Sequence, residues 1–245
     1  MDINAPFGFG KIIPLTREHK LKFERAVPMF FRTAQLIPVS SGEFEVAGRD
    51  MPVVFASGGT AANVLPVAMC GFKTGENLFV EGDRWADGVY APAYVRRWPF
   101  CMAAVRNEQG VEQDRIVCVE ENVVSSEGEP VLEAEGKPSP LWSQYEPLVL
   151  EYERDLARTE QLCKLLVDLK LLEGFRLDAE IPGVGQIQVN GLFRVSEAQL
   201  KELPADQLRM LIERGGMRLI YAHLASLDRV QLLLNRLAQR SRKAA

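Results

Sequence analysis

Histidine and cysteine, which supply most zinc ligands and many catalytic nucleophiles, are scarce in this chain of 245 residues. The two histidines, His19 and His223, stand far apart, and the four cysteines include no C-x-x-C pair. These spacings argue against a zinc cluster and predict buried, reduced thiols rather than a disulfide framework. No G-x-S-x-G or H-E-x-x-H motif is present, so the sequence supports neither hydrolase centre. We therefore expect no metal and no cofactor.

Charge and hydropathy narrow the class of protein further. The formal net charge is −4 at pH 7, which argues against a nucleic-acid binder, because such a protein needs a basic surface to neutralise phosphates. The longest apolar run, residues 64–72, contains Pro66 and Gly71 and falls well short of the roughly 20 residues of a membrane span. Residues 1–20 are charged and contain no apolar secretion signal. We therefore expect a soluble cytoplasmic protein.

The first half of the chain contains short apolar runs bounded by turn residues, the pattern of β-strands. We predict strands over residues 52–56, 64–71, 78–80, 100–105 and 115–119. The last two should form a hairpin, because the turn-rich residues 107–110 separate them. Pro66 cannot donate a backbone hydrogen bond, so we expect it at a sheet edge or a bulge.

A long helix is predicted after residues 121–138, a polar stretch with glycine and proline that is typical of a surface loop. Ser139 and Pro140 have the pattern of a helix N-cap and first residue. Pro147 should restart or kink this helix, and Gly174 should end it. The side chains expected on its buried face are Leu148, Tyr152, Leu156, Cys163 and Leu166.

Shorter elements are expected towards the C-terminus. Residues 175–181 and 186–195 alternate apolar and polar side chains on either side of Pro182 and Gly183, which predicts a second hairpin. Residues 196–199 have the pattern of a capping box that opens a short helix. The last long helix should bury one face, formed by Leu219, His223, Leu227, Val230, Leu234 and Leu237.

Strands that come first and long helices that follow favour an α+β fold over a parallel α/β sheet. We predict one domain over residues 1–245, with mostly antiparallel strands in the first half and long helices plus a hairpin in the second. An internal division near 121–138 would separate a β-rich part, residues 1–120, from a mainly helical part, residues 139–245.

The best candidate for a binding site is a cluster of aromatic and arginine side chains. Its members are Trp85, Tyr90, Tyr94, Arg96, Arg97 and Trp98. Aromatic rings bury much area at low entropy cost, and a guanidinium group binds carboxylate or phosphate through a planar fork, so the set is typical of a recognition surface. Alternatively, the rings fill the core and the arginines pair with nearby acidic residues. The sequence leaves both interpretations open.

His223 is a further candidate because it falls on a confidently predicted helix. A general base needs a polar partner at hydrogen-bond distance, and the predicted helix face around His223 is apolar. The alternative is a histidine in the core or at an interface, with a satisfied ring nitrogen.

Several segments of the chain match the motifs of one family. GENLFV at residues 75–80, Trp85 and YVRRWPF at residues 94–100 form the central motif. RDMPVVF at residues 49–55 and IYAHLASL at residues 220–227 match further motifs. Over nearly its whole length the chain resembles the SapC family of bacterial proteins.

The resemblance implies an accessory role in the cell and carries over no catalytic residue. Members are often encoded near TonB-dependent receptors, flavin-dependent tryptophan-halogenase-like proteins and cupin-type or iron hydroxylases. That neighbourhood implies partners in nutrient uptake or in the modification of an imported molecule. The family name derives from a surface-layer system. The permease label that some members carry conflicts with the lack of a membrane-spanning segment in this sequence.

These observations favour a non-catalytic accessory protein that binds a protein or a small molecule. One alternative is an enzyme that holds an acidic small molecule or peptide through Arg96 or Arg97 and uses His223 as a base, which requires these residues to share a pocket. The second alternative is a surface-layer-associated protein, which requires export.

Overall fold

The computed structural model describes residues 3–24, 26–60, 63–106, 112–133, 135–181 and 183–244. The strands are β1 (Ile12–Pro14), β2 (Lys20–Leu21), β3 (Leu36–Pro38), β4 (Val53–Thr60), β5 (Asn63–Met69), β6 (Val80–Glu81), β7 (Arg84–Trp85), β8 (Phe100–Arg106), β9 (Glu112–Glu120), β10 (Glu129–Pro130), β11 (Leu172–Ile181) and β12 (Gly185–Val195). The helices are α1 (Met29–Arg32), α2 (Phe44–Ala47), α3 (Ala93–Arg96), α4 (Pro140–Asp168), α5 (Glu197–Lys201), α6 (Ala205–Glu213), α7 (Gly216–Ser226) and α8 (Arg229–Ala244), with 3₁₀ turns at Ser41–Glu43 and Glu121–Val123. Within these ranges, no helix combines the length and the apolar character needed to cross a membrane.

The main sheet has five strands in the order β11-β12-β4-β5-β3, and each neighbouring pair is antiparallel. A smaller sheet has the order β1-β9-β8. Both predicted hairpins are present, as β8 with β9 and as β11 with β12, although residues 107–110 and Pro182 of their predicted turns lie outside the described ranges. The predicted α+β fold is confirmed. Strands from both sides of the predicted division at 121–138 share the main sheet.

Part of the segment 121–138 is attached to the N-terminal arm of the chain rather than forming a plain surface loop. β10 pairs with β2, with Glu129 opposite Leu21. Val123 and Val131 are each only 4% exposed, so they anchor the segment in the core. Two short apolar pairs, Val123–Val124 and Val131–Leu132, in an otherwise polar stretch are too sparse a pattern to predict buried positions from the sequence.

Pro66 lies within the main sheet, and the prediction of an edge or a bulge is wrong. It stands opposite Phe55 of β4, and its carbonyl accepts a hydrogen bond from the amide of Val39, just beyond the end of β3. Because a residue in an antiparallel pair directs its N–H and C=O to the same side, the missing donor faces the end of the short edge strand β3. The sheet therefore loses only the one hydrogen bond that an amide N–H at position 66 would have donated towards the end of β3.

Helix α4 begins as predicted but ends earlier than Gly174. The Ser139 hydroxyl accepts a hydrogen bond from the Trp142 amide at 3.2 Å, and Pro147 lies within the helix. At the other end, the Leu171 amide donates to the Leu166 carbonyl, and Lys170 takes a left-handed φ of 54°. This Schellman arrangement satisfies the last carbonyls of the helix without a glycine, so Gly174 is free to lie in β11.

The predicted buried face of α4 is correct at Tyr152, Cys163 and Leu166, but Leu148 and Leu156 are only half-buried. Other side chains, including Val149 and Leu162, take part in the core instead. Along a helix of 29 residues, a face chosen at fixed spacing drifts relative to the core that the helix packs against.

The predicted last long helix is two helices, α7 and α8, which are separated at Leu227 and Asp228. The apolar spacing continues across the break, because both helices pack on the same core. Spacing alone therefore did not reveal the interruption.

The core has a main part, a second part and a small third part formed by Ile12, Cys101, Ala103 and Cys118, and α4 contributes to the first two. The main part lies against the five-stranded sheet and includes Phe55, Leu166 and Ile220. The second part contains Phe100 of β8 and Trp142 from the first turns of α4. Helix α4 therefore connects the small sheet to the main sheet.

Replacement of Leu166 by alanine tests the packing of α4. Leu166 is 0% exposed, so we expect Leu166→Ala to lower the free energy of unfolding by roughly 2–5 kcal/mol. The side chain of Arg158 on the same helix is 73% exposed, and Arg158→Ala should cost less than about 1 kcal/mol. Urea denaturation of both variants measures the difference. Equal losses would contradict the assigned face.

Candidate functional site

Helix α3 separates the two candidate arginines. Arg96 is its last residue and Arg97 is its C-cap, so the two side chains leave the backbone in different directions. Arg96 is exposed, whereas Arg97 is only 3% exposed. One arginine is thus available to a ligand and the other belongs to the interior.

Arg97 lies among aromatic rings rather than beside a carboxylate. Its guanidinium carbon is 4.5 Å from the ring centroid of Tyr94, 4.6 Å from that of Tyr152 and 5.2 Å from that of Phe9. Its Nε has no hydrogen-bond partner among the described residues. Cation–π attraction therefore replaces an ion pair in stabilising this buried charge. The contacts join the N-terminal arm, α3 and α4.

Tyr94 is buried with Arg97. Its hydroxyl donates to the Phe7 carbonyl at 2.8 Å, and burial raises its pKa to about 12 although Arg97 opposes the rise. Of the predicted site residues, Tyr94 and Arg97 thus face the core, in agreement with the interpretation that part of the cluster is structural.

Trp85, Arg96 and Trp98 are brought together on the other side of α3, where they line a groove of ≈ 400 Å³. The groove is also lined by side chains that no sequence pattern singled out. These are Phe23, Glu24, Arg84 and Tyr145. They come from the N-terminal arm, β7 and α4, and only the fold brings them together.

The aromatic walls of this groove, which we name the arginine groove, are held by contacts behind them. Trp85 stacks on Phe79 with ring centroids 6.1 Å apart, and its Nε1 donates to the Tyr90 carbonyl at 3.1 Å. The Nε1 of Trp98 donates to the buried carboxylate of Glu120. Fixed rings of this kind present apolar area without losing much conformational entropy when a ligand binds.

Arg96 is positioned by neutral groups. Its Nε donates to the Ala91 carbonyl at 2.9 Å and its Nη2 donates to the Tyr90 hydroxyl at 3.0 Å. That hydroxyl donates in turn to Glu43 at 2.9 Å. Burial, and then Glu43, raise the pKa of Tyr90 to about 12, so the phenol is neutral at pH 7. The charge of Arg96 is therefore oriented without being neutralised.

Arg84 also lines the arginine groove and is exposed. Neither Arg84 nor Arg96 forms an ion pair with any residue that the structure describes, whereas exposed arginines elsewhere do, such as Arg218 with Glu45. Two cations without carboxylate partners stand beside a single acidic side chain, Glu24, among the described residues that line the groove, and they give it a positive character.

A second groove of ≈ 370 Å³ continues the first across the arm segment that contains Phe23 and Pro28. Trp98 lines both grooves. Exposed apolar side chains stand beside the second groove, with Met29 72% and Phe30 41% exposed. The surface available to a ligand is therefore longer than the arginine groove alone.

His223 is buried away from these grooves and acts as a structural bridge. Its Nδ1 donates to the Val53 carbonyl at 2.8 Å, and its Nε2 accepts from the Val195 amide at 3.0 Å. Burial lowers its pKa to about 4. Neither ring nitrogen can take a proton from a substrate while both bonds are made, and neither Val53 nor Val195 lines the arginine groove.

The four cysteines are buried free thiols. Burial raises the pKa of Cys101 and Cys163 to about 12 and that of Cys118 to about 11, and it also raises the pKa of Cys70. The nucleophilic thiolate is therefore negligible at pH 7. Within the described ranges, His, Cys, Asp and Glu form no group of three or more that could hold a metal ion.

Truncation of the two arginines should distinguish their roles. Arg97→Ala removes a desolvated cation and the packing of its stem, so we expect a loss of about 2 kcal/mol or more in the free energy of unfolding. Arg96→Ala should cost less than about 1 kcal/mol, because the side chain is exposed. Similar losses in denaturant melts of the two variants would refute this division.

The bridge made by His223 should make stability depend on pH. The pKa of about 4 in the folded state lies below the ordinary value near 6.5, so the unfolded chain binds the proton first. The stability from the neutral ring is almost complete at pH 7 and is lost as the pH falls from 6.5 towards 4. From pH 7 to 5 the loss should be about 2 kcal/mol.

Urea titrations of the wild type and of His223→Gln at pH 7 and pH 5 test this linkage. The glutamine variant has no ring to protonate, so its stability should fall less over the same interval. The carboxylates contribute alike to both proteins and cancel in the comparison. Equal pH dependence of the two proteins would refute the linkage.

Comparison with known proteins places the chain in a family but brings no characterised relative. No curated protein matches it, and no solved structure does. A family model, that of SapC, matches residues 17–233. The match includes α3, Arg96, Arg97, His223 and all of the described residues that line the arginine groove. Because it extends over most of the chain, this protein belongs to the SapC family.

Proposed function

We propose that this protein acts by binding an acidic segment of a partner protein in the arginine groove, and not by catalysis. The observation that carries the proposal is the pair Arg84 and Arg96, which have no ion-pair partner among the described residues and stand beside fixed aromatic rings.

Recognition of an acidic segment follows from the chemistry of the lining side chains. Arginine binds a carboxylate through two parallel hydrogen bonds, and the rings of Trp85 and Trp98 offer flat area for apolar or aromatic side chains between the acidic ones. The second groove extends this surface past Met29 and Phe30, so an extended segment can make contacts along both grooves.

The enzymatic alternative, which combines Arg96 or Arg97 with His223, has less support. It needs a base beside the arginines, but both nitrogens of His223 are occupied by backbone groups. Arg97 and the four thiols are also buried, so they are poorly accessible to a substrate, which further weakens the enzymatic alternative. No observation specifically favours the surface-layer role.

Within this proposal, the partner is one of the proteins that the family resemblance implies, namely a TonB-dependent receptor, a tryptophan-halogenase-like flavoprotein or a cupin-type or iron hydroxylase. The protein would then serve as an accessory in the cytoplasm. The groove specifies only the chemistry of the contact, which is an exposed acidic segment with apolar side chains.

Fluorescence titration with a short peptide of alternating glutamate and phenylalanine tests the groove directly. Trp85 and Trp98 line it, whereas Trp142 is buried in the second core, so occupancy should change the tryptophan emission. Arg84→Glu with Arg96→Glu should weaken binding at least about thirtyfold, as expected when roughly 2 kcal/mol is lost at a central contact.

The control variant is Arg176→Glu with Arg209→Glu, which makes the same change in net charge on exposed residues that do not line the groove. A lysine–phenylalanine peptide is the control ligand. Equal weakening in both double variants, or equal affinity for the two peptides, would show that the groove does not select an acidic segment. Binding should also weaken as salt is added.

A further inference from the structure

The arm segment between the two grooves carries a carboxylate, that of Glu24, which lines both of them. Phe23 and Pro28 of the same segment also line both grooves, so a ligand that extends from one groove into the other passes Glu24. Resting on the proposed function, we infer that the acidic segment of the partner carries a basic residue between its acidic ones, and that Glu24 is the residue that selects it.

The segment around Glu24 is held in place by backbone hydrogen bonds on both sides. The Lys22 amide donates to the Val123 carbonyl, and the Val27 amide donates to the Asp83 carbonyl, each at 2.8 Å. The carboxylate of Glu24 therefore stands on a fixed piece of backbone between the two grooves. A fixed charge can discriminate between ligands because it does not move away from an unfavourable one.

Glu24 is also available to a ligand. It is exposed, and it forms neither an ion pair nor a hydrogen bond with any residue that the structure describes. The second groove has another acidic residue, Glu120, but this side chain is buried. The oxygens of Glu120 accept from the Gly10 amide and from Nε1 of Trp98. Of these two carboxylates, Glu24 is thus the one with free oxygens.

Basic side chains line the grooves on both sides of this carboxylate. Arg84 and Arg96 line the arginine groove, whereas Lys22 and Arg32 line the second groove. Arg32 has no carboxylate partner in the part of the chain that the structure describes. Lys22 pairs with Glu127 at 2.9 Å, and both side chains are more than half exposed, so a ligand can easily exchange this weak pair. The order of charges along the surface is therefore basic, acidic, basic.

The complementary ligand has the opposite order, which is acidic, basic, acidic. A uniformly acidic segment that occupies both grooves would place a carboxylate against Glu24, and like charges at an interface disfavour binding. A lysine or arginine at that position instead forms an ion pair. Glu24 thus rejects one class of acidic segment and favours another, so that specificity comes from repulsion as well as attraction.

Fluorescence titration with two peptides tests this selection. One peptide has nine alternating glutamate and phenylalanine residues, with glutamate at both ends and at the centre, and the other has lysine in place of the central glutamate. We expect the wild type to bind the lysine peptide about threefold more tightly, although that peptide has the smaller negative charge. Glu24→Gln should lose this preference, and Glu24→Lys should reverse it.

The matched control is Glu202→Gln, which removes an exposed carboxylate that lines neither groove and should keep the preference. The inference is overturned if the wild type binds the uniformly acidic peptide at least as tightly, or if Glu24→Gln and Glu202→Gln change the ratio of affinities equally. If neither peptide binds, the proposed function is refuted together with this inference. If both bind and both weaken in the Arg84→Glu, Arg96→Glu variant while the ratio ignores Glu24, only this inference is refuted.

Discussion

The contact between β12 and β4 is the constraint on which the rest of the structure depends. The two strands share only the pairs Leu192–Ala56 and Phe193–Phe55. Beyond these pairs the ring of His223 stands between the Val195 amide and the Val53 carbonyl. The neighbouring Ser226 hydroxyl accepts from the Val53 amide at 2.9 Å. Helix α7 thus completes the hydrogen bonding that the strands do not make, and it fixes the C-terminal hairpin on the N-terminal strands.

The arginine groove depends on a second set of buried polar contacts. The carboxylate of Glu43 accepts from the Ala93 amide at 2.6 Å, from the Tyr90 hydroxyl and from Ser40. It therefore fixes the start of α3, while Arg97 fixes its end among three rings. Because both ends of a four-residue helix are held in this way, the direction of Arg96 is set by the core.

The sequence predicted the parts of the fold that local chemistry determines. Ser139 and Pro140 began a helix because one side chain satisfies a free amide and the other lacks a donor. The hairpins were predicted because two apolar runs, or two runs of alternating apolar and polar residues, flank a short segment of turn residues. The end of α4 was missed because Lys170 takes the left-handed position in place of a glycine, and the α7–α8 break was missed because apolar spacing continues across it.

The candidate site was predictable only in part, because some of its residues are far apart in the sequence and only the fold brings them together. Trp85, Arg96 and Trp98 could be selected because they lie close together in a sequence that has only three tryptophans and five tyrosines. Phe23 and Tyr145 could not, because they stand far from that segment in the chain and reach the groove only through the packing of the arm and α4. Nor could spacing reveal that Arg97, next to Arg96, turns inwards. The direction of a side chain on a short helix depends on its neighbours in space.

The distribution of reactive groups supports the proposal that this surface serves recognition rather than catalysis. Burial keeps His223 neutral and the thiols protonated. The imidazole and the thiols therefore have structural roles and are not placed to exchange protons with a substrate or to attack it. The two grooves are lined mainly by arginine, aromatic and apolar side chains, with Glu24 as an acidic residue shared by both. Arginine gives attraction that salt weakens, and fixed rings give area that salt does not affect. A ligand with both acidic and apolar groups can contact the arginines and the rings at once. A ligand with only one of these kinds of group should bind much more weakly.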